Sequence, residues 1–173
     1  MDIYELIKKR KSIRKYQSKS VEEEKLNRIL EAGRLAPSAK NAQAWKFIIT
    51  GDSSIKDDLV EACRGQKFIA EADKIITVCV KEEDTYQEHG NYMSAFAVDG
   101  TIALQHMILA ATDEGLATCW IGAFYEDKVK DVLEVPESYH VVGLTPLAYP
   151  AGNGRNKGRK PLSEIICKEK WCN

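Results

Sequence analysis

Helical and strand-like patterns alternate along the whole sequence, which predicts one globular domain of the α/β or α+β class. Apolar residues recur at helical spacing in several stretches, and short runs rich in β-branched residues lie between them. The chain has 173 residues, of which 44% are hydrophobic and 29% charged, as is ordinary for a domain with a sizeable core. No repeat, low-complexity segment or linker divides residues 1–173.

The N-terminal part of the sequence is predicted to be helical. Residues 2–9 carry apolar side chains at helical spacing and lead into a basic segment. The next helix is predicted to begin at a capping box, with Ser20 as the N-cap residue and Glu23 three positions later. It is expected to end at about Leu35, because Pro37 cannot continue a helix.

The remaining elements alternate between strands and helices. Strands are predicted at residues 46–50, 74–80, 116–121 and 139–147, and helices at residues 53–63, 92–114 and 125–134. Helix 92–114 is apolar almost all round, which is typical of a central or interface helix, so Gln105 and His106 are expected to be hydrogen-bonded core or interface residues. Residues 81–91 are polar and aperiodic. They predict an exposed loop of the kind that often contacts substrate, with His89 facing solvent.

Charge and cysteine content argue against several classes of protein. A formal net charge of -1 argues against bulk nucleic-acid binding, and no apolar run reaches the roughly 18 residues of a membrane span. The N-terminus has no signal-peptide character. The cysteines are odd in number and form no CxxC pair; they are Cys63, Cys79, Cys119, Cys167 and Cys172. We therefore expect reduced thiols in the cytoplasm, with no disulfide framework and no metal site.

Residues 10–16, here named the first basic loop, concentrate positive charge around a hydroxyl. In an extended chain Arg10, Ser12 and Arg14 point to one side, and the two guanidinium groups would form a many-donor surface suited to phosphate. The alternative is a solvated basic loop. A second basic loop, residues 155–161, favours phosphate binding, because two cationic loops at opposite ends of a near-neutral chain can converge on one anion.

Two further segments carry candidate ligand contacts. Residues 37–44, here named the amide loop, contain Asn41 and Gln43, whose side chains offer donors and acceptors for the edge of a heterocycle. They could equally serve only the backbone of an irregular connection. Gly122 and Ala123 follow a predicted buried strand, where small residues allow a ligand to approach the main chain.

Four segments, taken in order, resemble the signatures of the FMN-dependent nitroreductase family. They are RKSIRKY at residues 10–16, APSAKNAQAW at residues 36–45, GLATCWIG at residues 115–122 and GRKPL at residues 158–162. They span nearly the whole chain, whose length is similar to that of the compact branch of the family. The resemblance implies an α+β fold with a mixed β-sheet sandwiched by helices, in an intertwined homodimer with FMN at the subunit interface.

The resemblance also assigns FMN contacts to residues of this chain. Arg10, Ser12 and Arg14 would hold the phosphate, the ribityl chain and the pyrimidine edge, and Lys11 of the same signature is a further candidate. Lys157 and Arg159 of the second basic loop would close on the phosphate. The partner subunit's amide loop would reach the flavin with Pro37, Ser38, Ala39 and Asn41, and Gln66 falls where some members of the family carry an amide that contacts the flavin. Gly122 and Ala123 would lie against the ring near N5.

A redox reaction follows from the same resemblance. It implies reduction by NADH or NADPH, then reoxidation by a flat, electron-poor small molecule such as a nitroaromatic or a quinone. The flavin would perform this chemistry while the protein orients and tunes it. No catalytic triad or general-base histidine is therefore expected, and Arg14 is the residue expected to tune the flavin. A second copy of the chain and the acceptor are the expected partners, without nucleic acid or membrane.

The chain departs from the family pattern at Ala44, where the family usually has proline before the tryptophan, and residues 81–91 match no signature. Other reactions in the same fold remain alternatives: reductive dehalogenation, enone reduction and flavin fragmentation. A flavin-binding redox sensor without turnover is an alternative from another class. A phosphate-ligand binding module without flavin is a third.

Overall fold

An antiparallel β-sheet forms the centre of the computed structural model, which describes residues 2–154 and 158–172. Its strands, in the spatial order β1-β2-β4-β3, are β1 Trp45–Thr50, β2 Lys74–Lys81, β3 Ala117–Thr118 and β4 Tyr139–Ala148. Each neighbouring pair is antiparallel. The described residues also contain a parallel pairing, which is an isolated bridge between Ser12 and Thr118 at the β3 edge.

Helices cover both faces of this sheet. They are α1 Ile3–Lys9, α2 Glu23–Arg34, α3 Ser53–Ala62, α4 Phe96–Asp113 and α5 Glu126–Leu133. Helices α2 and α4 pack with Val78 and Val80 of β2 in one apolar core, and α3 and α5 pack with Ile75 and Cys79 in a second. Alternate residues of β2 therefore face opposite layers, as the period of a strand requires. The predicted α+β class, with helices on both faces of the sheet, is confirmed.

Helix α2 begins at Glu23, so the predicted capping box at Ser20 is wrong. Its N-cap residue is Glu22, which makes no side-chain capping hydrogen bond. Val21 is buried, and its backbone N–H donates to Asp73 Oδ2 over 2.9 Å. This tertiary bond holds the chain extended where the local pattern favours a helical turn.

Helix α4 begins at Phe96, four residues later than the predicted start at residue 92. The Ser94 hydroxyl donates to Glu82 Oε1 over 2.5 Å, and the Ala95 N–H donates to the Tyr86 carbonyl over 2.8 Å. These bonds draw residues 92–95 towards the preceding loop. That loop is also less exposed than predicted, since Glu82–Asp84 form a 3-10 turn, Thr85 is buried and His89 is half-buried.

Strand β3 is only two residues long, although a strand over 116–121 was predicted. Thr118 pairs with Leu147, and the next contact is an isolated bridge between Ile121 and Leu144. Pro146, which lies between these partners, has no N–H to donate to a ladder. The Cys119 N–H instead donates to Thr145 Oγ1 over 3.2 Å. A proline on the neighbouring strand therefore interrupts the predicted pairing.

The expectation of no disulfide is also wrong. Cys167 and Cys172 are joined by a disulfide in the exposed C-terminal segment, where their Cα atoms are 5.5 Å apart. The number of cysteines is odd because the three others are buried free thiols, namely Cys63, Cys79 and Cys119. Within residues 2–154 and 158–172, no helix combines the length and apolar character needed to cross a membrane.

Candidate functional site

The first basic loop lies along the β3 edge of the sheet. Ser12 pairs with Thr118, and the Ile13 N–H donates to the Thr118 carbonyl over 2.9 Å. Beneath the loop lies the Cys119 thiol, 2% exposed. Burial raises the pKa of Cys119, and the charges of Arg14 and Arg10 and a hydrogen bond from Ser12 oppose the rise.

Arg10, Ser12 and Arg14 thus all act on the Cys119 thiol, and strand-like alternation predicts that their side chains share one side of the loop. Arg10 and Ser12 are half-buried, whereas Arg14 is exposed. Lys11 Cβ and Ile13 Cγ1 lie beside Gly154, 3.1 Å and 3.3 Å from the position that a Cβ atom added there would take. The predicted contribution of Lys11 to cofactor binding remains a prediction.

The chain that leads into the second basic loop lies directly on the first. The Ala151 N–H donates to the Lys15 carbonyl over 2.9 Å. A Cβ atom added at Gly154 would come within 2.6 Å of the Ser12 carbonyl oxygen, so only glycine allows this close approach. The two ends of the chain thus meet beside the predicted phosphate site.

The two predicted ligands in the second basic loop have different outcomes. Lys157 lies outside the described residues. Arg159 is described and exposed, and its guanidinium donates to the Gly158 carbonyl over 3.0 Å. The structure therefore fixes the approach to this loop through Gly154, and the contribution of Arg159 to a phosphate remains a prediction.

Arg14 also contacts the segment that carries Gln66. Its guanidinium carbon is 5.5 Å from the centroid of the Phe68 ring, a cation–π geometry. Two residues earlier, the Gln66 amide donates to the carbonyls of Cys63, over 2.9 Å, and Ala123, over 3.0 Å. Gln66 thereby holds the turn that contains Gly122, and both Gly122 and Ala123 are exposed.

The amide loop has an unusual backbone. Lys40, Asn41 and Gln43 have φ of 53°, 55° and 50°, a left-handed conformation that is uncommon for residues other than glycine. The Gln43 N–H donates to Ser38 Oγ over 3.0 Å, and the Gln43 side chain donates to the Asn41 carbonyl over 3.2 Å. The Gln43 amide thus serves the backbone, which is the structural alternative raised for it above.

Contacts of the amide loop run to α4 and to the polar segment after β2. The Ala39 N–H donates to Asp99 Oδ1 over 3.1 Å, and Lys40 Nζ lies 4.5 Å from the centroid of the Tyr86 ring. A cavity of about 260 Å3 opens between the loop and this segment; its lining residues are Lys40, Ala42, Asp84, Thr85, Tyr86, Gln87 and Glu88.

The candidate residues accordingly fall into two groups. One group joins the first basic loop to the segment that contains Phe68 through the contact between Arg14 and Phe68; its members are Arg10, Ser12, Arg14, Gln66, Gly122 and Ala123. The other is the amide loop with Pro37, Ser38, Ala39 and Asn41, which the structure attaches to α4 through Ala39.

Sequence reasoning missed two residues that support these groups. Phe68 makes a cation–π contact with Arg14, and its only signal in the sequence is an aromatic residue two positions after Gln66. Asp99 is a buried carboxylate that binds the amide loop. Its signal in the sequence is a charged residue within an otherwise apolar helical pattern. Because residues 92–114 were interpreted as apolar almost all round, Asp99 was not identified as a candidate.

Comparison with known proteins gives concordant results along the chain. The model of the nitroreductase family matches residues 7–74 and 64–149. A protein of Methanothermobacter thermautotrophicus, described as an NADH dehydrogenase/NAD(P)H nitroreductase, is 32% identical over 177 aligned residues, covering 99% of this chain and 88% of that protein.

Solved structures agree with the sequence comparison. A nitroreductase family protein from Clostridium difficile superposes with a TM-score of 0.89 at 30% identity, covering 99% of this chain and 100% of the other. The NADPH:FMN oxidoreductase of Vibrio harveyi, solved with NAD+, shares the fold with a TM-score of 0.89 at 23% identity, covering 98% of this chain and 78% of that one. From the match of the family model and these relatives, the chain belongs to the nitroreductase family.

Proposed function

We propose that this chain is an FMN-dependent NAD(P)H oxidoreductase that reduces flat, electron-poor acceptors such as nitroaromatics and quinones in a ping-pong cycle. The observation that carries the proposal is that the loop containing Arg10, Ser12 and Arg14 pairs with the sheet at Thr118 and meets, at Gly154, the chain leading into the second basic loop. The names of a nitroreductase relative and of an FMN oxidoreductase with the same fold support the cofactor and the electron donor.

The donor groups of this chain fit a flavin mononucleotide. Arg10 and Ser12, with Arg159 from the second basic loop, would hold the terminal phosphate through charge-assisted hydrogen bonds. Arg14, whose guanidinium makes a cation–π contact with Phe68, would place positive charge at the pyrimidine edge. The exposed main chain at Gly122 and Ala123 would approach the ring near N5, where Gln66 keeps the turn in place.

When bound, FMN would supply the redox chemistry, taking electrons from NAD(P)H and passing them to the acceptor. The protein residues would then bind, orient and tune, and no side chain is needed as a general base. The acceptor would stack on the exposed ring, which favours flat, electron-poor molecules. We place this reaction in the cytoplasm, where the buried thiols of Cys63, Cys79 and Cys119 would remain reduced and the exposed disulfide between Cys167 and Cys172 would be open to reduction.

We further propose that the chain acts as a homodimer with FMN at the subunit interface. No residue of α1 is buried, and Ile3 and Ile7 on this helix are each 52% exposed. Every residue of the described segment 158–172 is exposed as well, including Leu162 at 69% and Ile165 at 62%. Apolar surface of this extent marks an interaction site. A second copy would cover it and bring its amide loop to the flavin.

The test is the absorption spectrum of the purified protein, before and after addition of NAD(P)H, followed by identification of the released flavin. We expect a yellow protein that bleaches with NAD(P)H, regains its colour with menadione and releases FMN on denaturation. Release of FAD, or no flavin binding after reconstitution with FMN, would refute the cofactor. Bound FMN without steady-state NAD(P)H oxidation would point to the redox sensor instead.

A further inference from the structure

Asp99 is a buried carboxylate that the proposed redox cycle leaves without a role. It lies in the first turn of α4 and is 2% exposed. Its Oδ1 atom accepts the Ala39 N–H over 3.1 Å, while Oδ2 is buried without a hydrogen-bond partner. In the part of the chain that the structure describes, Thr77 Oγ1 is the other buried side-chain oxygen in this situation.

Such an arrangement opposes folding. A buried carboxylate with one unsatisfied oxygen loses hydration that a single hydrogen bond does not replace. Burial raises the pKa of Asp99, and the Ala39 amide and the nearby His89 oppose the rise. The field at the N-terminus of α4 gives partial compensation. An apolar residue of similar size would serve the core better, so the carboxylate needs another explanation.

The hydrogen bond that Asp99 accepts from Ala39 joins a rigid element to a strained one. Next to Asp99, a Cβ atom added at Gly100 would come within 2.7 Å of a Val142 methyl group, so this turn of α4 is pressed against the sheet. On the other side, the amide loop contains three non-glycine residues with left-handed φ. Each such residue costs free energy and persists only where surrounding contacts enforce it.

We propose that Asp99 is a positioning residue for the cofactor site. Its Oδ1 atom holds the main chain at Ala39, and this keeps Ser38 and Asn41 in the conformation that meets the flavin. The inference rests on the proposed function, since it assigns a purpose to the ordered amide loop. It also explains why the chain retains an unsatisfied carboxylate oxygen: stability is lost so that the loop is ordered before the cofactor binds.

Two substitutions at Asp99 separate positioning from a merely structural role. Asp99→Leu removes the acceptor and the buried charge together, while Ala39 is only half-buried, so water can satisfy its N–H. Asp99→Asn removes the charge but keeps a carbonyl oxygen for the Ala39 N–H. Thr77→Val is the matched control, because it removes the other unsatisfied buried oxygen at a site away from the loop.

The experiment measures hydrogen exchange of residues 37–44 in the apoprotein, FMN affinity by fluorescence titration, and thermal unfolding. For Asp99→Leu we expect exchange in the loop and the dissociation constant of FMN to rise roughly tenfold, the effect of losing one bond to a charged group. Its unfolding temperature should be unchanged or higher. Asp99→Asn and Thr77→Val should keep loop exchange and FMN affinity close to those of the unmodified protein.

Ala39→Pro removes the same bond from the donor side, so by itself it should also raise the dissociation constant of FMN roughly tenfold, and this keeps the test decisive if Asp99→Leu does not fold. Ser38 has φ -137° and ψ 157°, which suits a residue before proline, and Ala39 opens a 3-10 turn, where proline is tolerated. The effect of Asp99→Leu on FMN affinity should be absent in the Ala39→Pro background. Additive losses in the double variant would refute the bond as their cause.

The outcomes also distinguish this inference from the proposed function. Loop exchange in Asp99→Leu that equals that of the unmodified apoprotein would overturn the positioning role, even if FMN binds. So would a less stable Asp99→Leu variant that binds FMN with unchanged affinity, since Asp99 would then be structural. If the unmodified protein binds no FMN, the proposed function fails. The exchange measurement on the apoprotein then decides by itself whether Asp99 orders the loop.

Discussion

At the scale of single residues, the two arginines of the first basic loop have different surroundings. The charges of both oppose the effect of burial on the pKa of Cys119. Arg14 has in addition the Phe68 ring within 5.5 Å, close to the turn held by Gln66. We therefore expect Arg10 to act on the phosphate and Arg14 on the flavin ring.

Arg10→Ala should weaken FMN binding and leave the bound site competent. Loss of charge-assisted bonds worth about 1.5–3 kcal/mol corresponds to an affinity lower by one to two orders of magnitude. Turnover should recover at saturating FMN, which steady-state kinetics over a range of FMN concentrations would show. Lys15→Ala is the matched control from the same loop, since the contact described for Lys15 uses its backbone carbonyl. Persistent loss of turnover at saturating FMN would contradict a phosphate role.

Arg14→Ala should lower the midpoint potential of bound flavin and slow its reduction by NAD(P)H, even with excess FMN. The reason is that positive charge at the pyrimidine edge favours the reduced cofactor. Arg14→Lys should recover part of the potential, because it restores the charge without the planar guanidinium. A redox titration of both variants at fixed pH makes the comparison. An unchanged potential with weaker binding would make Arg14 a second phosphate ligand.

At the scale of elements, His140 on β4 links three parts of the fold. Its Nε2 atom lies 2.9 Å from Glu82 Oε2 and its Nδ1 atom 3.1 Å from Glu126 Oε1, and the Phe96 ring stacks on the imidazole at 4.5 Å. Glu126 Oε1 also accepts the Val141 N–H over 2.9 Å. The start of α5, the start of α4 and the turn after β2 thus meet at one histidine.

Glu82 should contribute to acid unfolding. Hydrogen bonds from Ser94, then His140, lower its pKa below the ordinary value of 4.5. A depressed carboxyl pKa gives stability that is present above the unfolded value and is lost as pH falls through the folded value. In thermal unfolding between pH 7 and pH 3, Glu82→Gln should therefore lose less stability on acidification than the unmodified protein. Glu83→Gln, an exposed neighbour, is the control. Parallel curves for Glu82→Gln and the unmodified protein would refute this role.

The interruption of β3 leads to a prediction about stability. Thr145 is 1% exposed, and its hydroxyl both accepts the Cys119 N–H and donates to the Pro146 carbonyl over 3.1 Å. Thr145→Val should leave the buried Cys119 N–H unsatisfied and lower the free energy of unfolding by about 1–3 kcal/mol. Urea unfolding measures this, with Thr77→Val as the control whose hydroxyl makes no bond. Equal stability of the two variants would mean that Cys119 finds another acceptor.

At the scale of the whole molecule, the proposed homodimer would cover the exposed apolar side chains of α1 and of residues 158–172. Obligate interfaces bury more than about 2,000 Å2 and resemble a core divided in two. Light scattering should therefore give the mass of a dimer at low micromolar concentration. Removal of residues 162–173 should shift the protein towards monomer and lower its FMN content, because the second subunit would supply the amide loop. A stable monomer loaded with FMN would contradict the shared site.

The sequence by itself determined the class of elements, their order and the family. Each depends on short segments, in which the spacing of apolar residues or charges is a local property. Strand β1 and helix α3, for example, lie within two residues of the predicted ends.

Only the tertiary structure decided the features that depend on distant hydrogen-bond partners. Asp99 and Ala39 are 60 positions apart, and nothing near either residue indicates their bond. The length of β3 depends on Pro146 in another strand, and the start of α2 on Asp73. A buried N–H or carbonyl must find a partner wherever the fold provides one, so these outcomes belong to the packed chain and not to any local pattern.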